Sequence, residues 1–380
     1  MQLDSLKTLL DKETIDSNKV SLFIQMGHES LSNNNEQPLS YAQQAYELSK
    51  KIGYKKGIVN SYLLYASVYN RSGNFSDANV YSQRALAIAK EIKYPLAVAQ
   101  SYLLIANSKR SIEGNTNEVI QYYLDAAELY KQLNSQYESA CYFNIGLVYQ
   151  EQKKYDKAIE YASQALKLNE KFNRVFGKLK CWTLMGEVYK DEGIYKLAME
   201  CYNQTLKLAT QTNNNESAAE AFLGIGSVYR MQKDFDKAIR YVNQAMTSAG
   251  SIDSKLMKTW VLMEFGRIYS DQNKLDSAKA NLNAALKLAQ EIMSKEDIIK
   301  TYDLLAEVYS KQKNYEQAYK CQQLAKSVND SLLDGKKIVI AEEKTNSVKQ
   351  SSNYWKYTLI AVIILLSGIF LFFFVRRKEK

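Results

Sequence analysis

The chain has 380 residues, and 50 Lys and Arg against 41 Asp and Glu give it a net charge of +9. A hydrophobic share of 46% with 24% charged residues describes a folded chain and excludes a disordered one. Only 2 prolines beside 29 tyrosines exclude collagen-like and Pro-rich classes and point to helices joined by short turns.

The same counts restrict the chemistry. His28 is the only histidine, so a two-His metal site is excluded and a Ser-His-Asp or Cys-His site would need that one residue. Cys141, Cys181, Cys201 and Cys321 form no CxxC pair and read as buried apolar thiols. The GIG stretch at 224–226 falls inside a helical pattern and is no phosphate loop. No catalytic residue, cofactor-binding residue or metal ligand is assigned, and the chain is not read as an enzyme.

Residues 1–14 are expected as an N-terminal helix or cap. From 15 to 328 the chain repeats itself. YFNIGLVYQEQKKYDKAIEYASQAL (142–166), WTLMGEVYKDEGIYKLAMECYNQTL (182–206) and FLGIGSVYRMQKDFDKAIRYVNQAM (222–246) superpose without a gap at a shift of 40. A small residue recurs at Ala66, Ala106, Gly146, Gly186, Gly226, Gly266 and Ala306. Three positions later stand Tyr69, Tyr149, Tyr189, Tyr229, Tyr269 and Tyr309, with Lys109 as the exception. A second small residue recurs at Ala78, Ala158, Ala198, Ala238, Ala278 and Ala318. Gly27 and Ala45 mark a less regular first repeat, and the third is shifted by one residue around Gly114. Large apolar residues at helical spacing, such as Tyr142, Ile145 and Tyr149, face a core. Turn-type stretches such as RSGNFSD separate two helices in each repeat. Each helix pair leaves an apolar face that the next must cover, so a stacked helical solenoid is expected.

Large-x2-Leu/Ile/Met-Gly/Ala-x2-Tyr, followed by Ala and a further small residue, resembles the tetratricopeptide repeat (TPR). The resemblance implies an all-α, right-handed solenoid of about eight 40-residue helix-turn-helix repeats. The period of 40 and the missing proline at the end of each repeat resemble the long-repeat group that includes kinesin light chain. The first helices of such an array line a concave face. The positions two before, one after and four after the Gly/Ala marker are expected on it. They supply the candidate peptide-binding residues Asn70, Asn107, Arg110, Asn144, Gln150, Glu187, Lys190, Arg230 and Arg267. Arg110, Lys190 and Arg230 fall on one row, which predicts a mildly basic, amide-rich groove for an extended peptide of acidic or polar character. Ordinary solvated helix charges are the alternative. The carboxylate clamp of chaperone-binding TPRs is not reproduced, because Phe143 and Leu147 stand where Lys and Asn are needed. Nucleic acid is not expected as a partner, since the tyrosines occupy core positions and no basic stripe carries stacking aromatics.

A juxtamembrane linker is expected over 329–353. Thr358 to Val375 then runs for eighteen residues without a charge, about 27 Å as a helix. Tyr354, Trp355 and Tyr357 precede it, and Arg376, Arg377, Lys378 and Lys380 follow it. These features predict a transmembrane helix over 354–375 with an aromatic belt, a basic tail over 376–380, and Trp355, Arg376 and Arg377 as membrane anchors. The basic tail places the C-terminus in the cytoplasm and the repeats outside it, making a single-pass membrane protein with periplasmic repeats. Residues 1–20 hold no apolar signal segment, so a tail-anchored chain with cytoplasmic repeats stays open as the alternative.

The opening LDSLKTLL, the 40-residue repeats, the DSLLD segment at 330–334 and the single apolar helix together resemble the sensor portion of Bacteroidetes-type TPR signalling proteins. There the helix leads to a histidine kinase or a LuxR-type output domain, which is not found before Lys380. The resemblance implies a membrane-anchored interaction or sensory module without catalysis. A cytoplasmic scaffold and a truncated sensor half are the alternatives.

Overall fold

A computed structural model of the chain describes residues 3–32, 37–114 and 116–330. The chain divides into Met1–Ser331 and Leu332–Lys380, and the second part lies outside the described residues. In the first part α1 (Leu3–Lys12) precedes eight helix pairs. These are α2 (Asp16–Glu29) with α3 (Gln37–Lys51), α4 (Lys55–Arg71) with α5 (Phe75–Glu91), and α6 (Pro95–Glu113) with α7 (Asn117–Gln132). They continue as α8 (Glu138–Glu151) with α9 (Tyr155–Lys171), α10 (Val175–Glu192) with α11 (Tyr195–Gln211), and α12 (Asn215–Met231) with α13 (Phe235–Ser251). The last are α14 (Lys255–Asp271) with α15 (Leu275–Glu291), and α16 (Lys295–Lys311) with α17 (315–330). The expected all-helical array of paired helices is what the structure shows.

Most helices of the array end by the same local chemistry. After Arg71 the chain turns through Gly73 at φ +79, and the Asn74 N–H reaches back to the Tyr69 carbonyl at 2.9 Å. That bond satisfies one of the carbonyls a helix end leaves open. At the ends of α4, α8, α10, α12, α14 and α16 the tyrosine of the repeat pattern supplies the accepting carbonyl, as Lys154 N–H to Tyr149 O and Asp234 N–H to Tyr229 O show, whereas α5, α11, α13 and α15 use Ala89, Ala209, Ala249 and Ala289. Asn74 then caps the next helix, its Oδ1 accepting from Asp77 N–H; Asn214, Asp234, Ser254 and Ser294 do the same. Residues with positive φ recur every 20 positions, as Asn213, Lys233, Asp253, Asn273, Met293 and Lys313 do, so the structural repeat is half the sequence repeat. The one-residue shift expected near Gly114 is present: Lys93 and Gly114 lie 21 apart, and Asn134 and Lys153 only 19 apart, which restores the register.

The small residues stand where helices cross. A Cβ on Gly226 would come 2.6 Å from Val242 Cγ2 and 3.3 Å from the Ala238 carbonyl, so α12 meets α13 with no room for a side chain. The second helix of one repeat then packs on the first helix of the next: Ala158, Ala162 and Ala165 of α9 meet Cys181, Leu184 and Val188 of α10. Fully buried residues such as Leu179, Ile225 and Ile268 contribute about 2 kcal/mol each through this packing. The repeat tyrosines are half-buried, not fully enclosed. Tyr69, Tyr149 and Tyr229 stack on Tyr81, Tyr161 and Tyr241 with ring centroids 5.6, 5.5 and 5.4 Å apart.

First helices touch one another from repeat to repeat: α8 meets α10, α10 meets α12, α12 meets α14 and α14 meets α16. Successive second helices make no comparable contact. Crowding on one side and splaying on the other make the first-helix side the concave one.

One expectation is corrected. Among the described residues no helix is long and apolar enough to cross a membrane, and on that finding the single-pass localisation read from the sequence falls. The stretch 354–375 and the anchor residues Trp355, Arg376 and Arg377 lie outside the described residues.

Candidate functional site

A cleft of about 380 Å³ runs along the concave side of the last four repeats. Thr183, Glu187 and Lys190 of α10 open it, and Glu220, Leu223, Gly224 and Ser227 of α12 form its floor. Trp260, Met263, Glu264 and Arg267 of α14 and Asp297 and Lys300 of α16 close it. The helical period explains the set. Residues six before, three before, one after and four after the Gly/Ala marker fall on one stripe of each first helix.

Charge in this cleft is arranged in pairs. The Arg230 Nε bonds Glu264 Oε1 at 2.7 Å and its Nη1 reaches Asp271 Oδ2 at 2.8 Å in the next repeat. Arg267 takes the other Glu264 oxygen at 3.0 Å. Burial pushes the Glu264 carboxyl up, but Arg230 and Arg267 together hold it below its ordinary value. Burial pulls Lys190 down, and Glu187 and Asp191 outweigh it and hold the ammonium charged. Glu187 is fixed from behind, because the buried Tyr202 hydroxyl donates to its Oε1 at 2.6 Å. The Trp260 indole N–H donates to Asp297 Oδ1 at 3.0 Å, and the Ser294 hydroxyl donates to Asp297 Oδ2 at 2.6 Å.

A second cleft of about 350 Å³ lies in the first repeats and differs in kind. Leu63, Leu96, Leu103 and Tyr130 line it with Asn60, Ser67 and Gln100, and no Asp, Glu, Lys or Arg does. His28 lines it too.

The candidate groove residues are brought together in groups. Asn107 Oδ1 accepts from the Tyr123 hydroxyl at 2.8 Å and from Asn144 Nδ2 at 3.4 Å. Asn70 Nδ2 donates to the Leu104 carbonyl at 3.4 Å. A ladder joins successive repeats at a spacing of 41: Arg110 to Glu151 at 3.3 Å, Gln150 to Asp191 at 3.3 Å, and Arg230 to Asp271 at 2.8 Å. Glu187, Lys190 and Arg267 line the C-terminal cleft. The row expected to be basic is therefore paired with the chain's own carboxylates.

A family profile described as the MalT-like TPR region matches residues 145–340, and a tetratricopeptide repeat profile matches 97–171. The chain belongs to the MalT-like TPR family. No curated protein matches this MalT-like sequence. Its fold is similar to that of aspartyl phosphate phosphatase F from Bacillus subtilis (TM-score 0.60, 14% identity, covering 86% of this chain and 92% of that one). It is also similar to NprR solved with its cognate peptide NprX (TM-score 0.58, 17% identity, 88% and 100% covered). A Rap protein complexed with competence and sporulation factor gives a TM-score of 0.56 at 15% identity, with 84% and 99% covered. At these identities the likeness shows the fold alone.

Sequence reasoning missed part of the MalT-like cleft. It expected the inner stripe two before, one after and four after the marker; of the residues two before it, Gly224 and Glu264 line the cleft, while Leu64 and Leu184 are buried in the core. Thr183, Leu223 and Met263, three before the marker, and Glu220, Trp260 and Lys300, six before it, line the cleft as well and were not expected there. The recurrence of Glu or Asp 41 residues after Arg or Gln was a signal available in the sequence.

Proposed function

We propose that this chain is a non-catalytic TPR interaction module that holds an extended peptide, or an extended segment of a protein partner, along its concave side. The repeats over 15–328 form the binding domain. The observation that carries the proposal is the cleft itself. Polar and charged side chains of α10 and α16 flank the apolar Leu223, Trp260 and Met263 of α12 and α14 along one cleft, which suits main-chain and side-chain recognition of an extended chain. The neighbours NprR and Rap support the reading, since each is solved with a peptide or factor on the same fold. The name of the B. subtilis neighbour denotes a phosphatase, and 14% identity carries no activity across.

The test is a random pentapeptide library panned on the full chain, with affinities of the selected peptides measured by fluorescence anisotropy. Leu223→Arg fills the cleft and should abolish binding. Glu200→Arg, on the exposed side of α11, should leave it unchanged. Equal affinity for both variants places the binding surface elsewhere and ends the proposal.

A further inference from the structure

The C-terminal cleft is short of cations. Lys190, Arg230 and Arg267 are each engaged by carboxylates of the chain, and Lys300 is held by Glu296. Asp297 is buried and has no cation against it among the described residues; an indole and a hydroxyl hold its two oxygens. Glu220 faces one cation, Lys180, whose ammonium lies 2.7 Å from Oε1. Its Oε2 is buried and has no partner. Burial pushes the Glu220 carboxyl above its ordinary value in spite of Lys180, so that single ammonium does not compensate it. An unmet buried carboxylate oxygen costs free energy that a donor brought by a ligand recovers.

We propose that this cleft takes one lysine or arginine side chain of the bound peptide, with its charged head on the Glu220 carboxylate. The inference rests on the peptide-groove reading and adds the class of side chain. Leu223, Met263 and the Trp260 ring line the same cleft and suit the aliphatic stem of such a residue. The indole face adds attraction for the cation. The terminal torsion of a glutamate is broad and two-fold, so either oxygen can be presented. An anionic side chain would meet Glu187, Glu220 and Asp297 without a free cation to receive it. The preference is thus opposite to the acidic peptide read from the cation row.

The experiment uses the full chain and the labelled pentapeptides selected from the random library. In each selected peptide the basic residue is replaced by norleucine, which keeps the stem and removes the charge. Binding is measured on the unaltered chain and on Glu220→Gln, with helicity checked by circular dichroism. The expected result is enrichment of Lys or Arg at one position and an affinity loss of about tenfold or more on norleucine replacement. On Glu220→Gln that loss should shrink to within about twofold, which is the coupling a direct contact requires. Selected peptides that Leu223→Arg abolishes but that carry no Lys or Arg overturn this inference and leave the groove reading standing. A norleucine loss equal on both proteins overturns it too. Peptides that bind regardless of Leu223→Arg overturn both. If Glu220→Gln fails to fold, the absence of a norleucine loss on the unaltered chain still overturns the inference.

Discussion

The Tyr202 hydroxyl donates to Glu187 Oε1 at 2.6 Å, from a ring buried between Gly186 and Gly224. One tyrosine on a second helix thus fixes a carboxylate on the concave side and fills the space left by two glycines on adjacent first helices. Tyr202→Phe should cost about 1–3 kcal/mol by leaving that carboxylate oxygen without its donor. A Cβ on Gly224 would lie 2.4 Å from Tyr202 Cζ, so Gly224→Ala should cost about 1–3 kcal/mol through overpacking. Combining Gly224→Ala with Tyr202→Val, the residue type of Val242 one repeat later, should cost less than the sum of the two singles. Urea denaturation midpoints of the four proteins measure this, and strict additivity would rule out the contact.

The helix ends give a test with the opposite sign. Met293 has φ +54 and is 83% exposed, so its side chain contributes little packing while its backbone is strained. Met293→Gly should raise stability by about 0.5–1 kcal/mol. Gly193→Ala, at φ +84, should lower it by about 1 kcal/mol. Thermal melts of both variants should move in opposite directions.

Glu264 predicts a loss of stability in acid. Its folded carboxyl is held below the ordinary value of 4.5, so the unfolded chain takes up the proton first. The stabilisation is present above that ordinary value and is lost as pH falls from it through the folded value. Glu264→Gln should cost about 3 kcal/mol at neutral pH, because Arg230 and Arg267 lose their shared anion. It should also flatten the acid side of the stability profile. An unchanged acid slope would show that Glu264 is not the residue titrating.

The cysteines provide a readout of repeat order. Burial pushes the thiols of Cys141, Cys181 and Cys201 up to about 12, so they should resist a thiol reagent at neutral pH until the array opens. Cys321 sits on α17, whose Tyr315 and Tyr319 are 68% and 64% exposed, and should react first. Labelling rates followed by mass spectrometry check the order, and simultaneous labelling of all four would contradict it.

The repeat was legible because its physical cause is a steric one. Gly226 and Ala238 must be small where α12 crosses α13, so the 40-residue period survives in residue identity. The 20-residue half-period was not legible. Its turn position needs only a positive φ, which Gly193, Asn213, Lys233 and Met293 all adopt, so no residue type marks it. The candidate row falls on the first helices, because the marker fixes their facing. The pairing of its charges was not legible, because Arg230 meets Asp271 in the next repeat, a contact across 41 residues that a reading of single repeats does not see.

Hydrogen exchange of the full chain, with and without a saturating library-selected pentapeptide, tests the concave-groove reading most directly. Binding along the inner side predicts slowed exchange in the amides of α10, α12, α14 and α16, with α11, α13 and α15 unchanged. Protection centred on the second helices would contradict it.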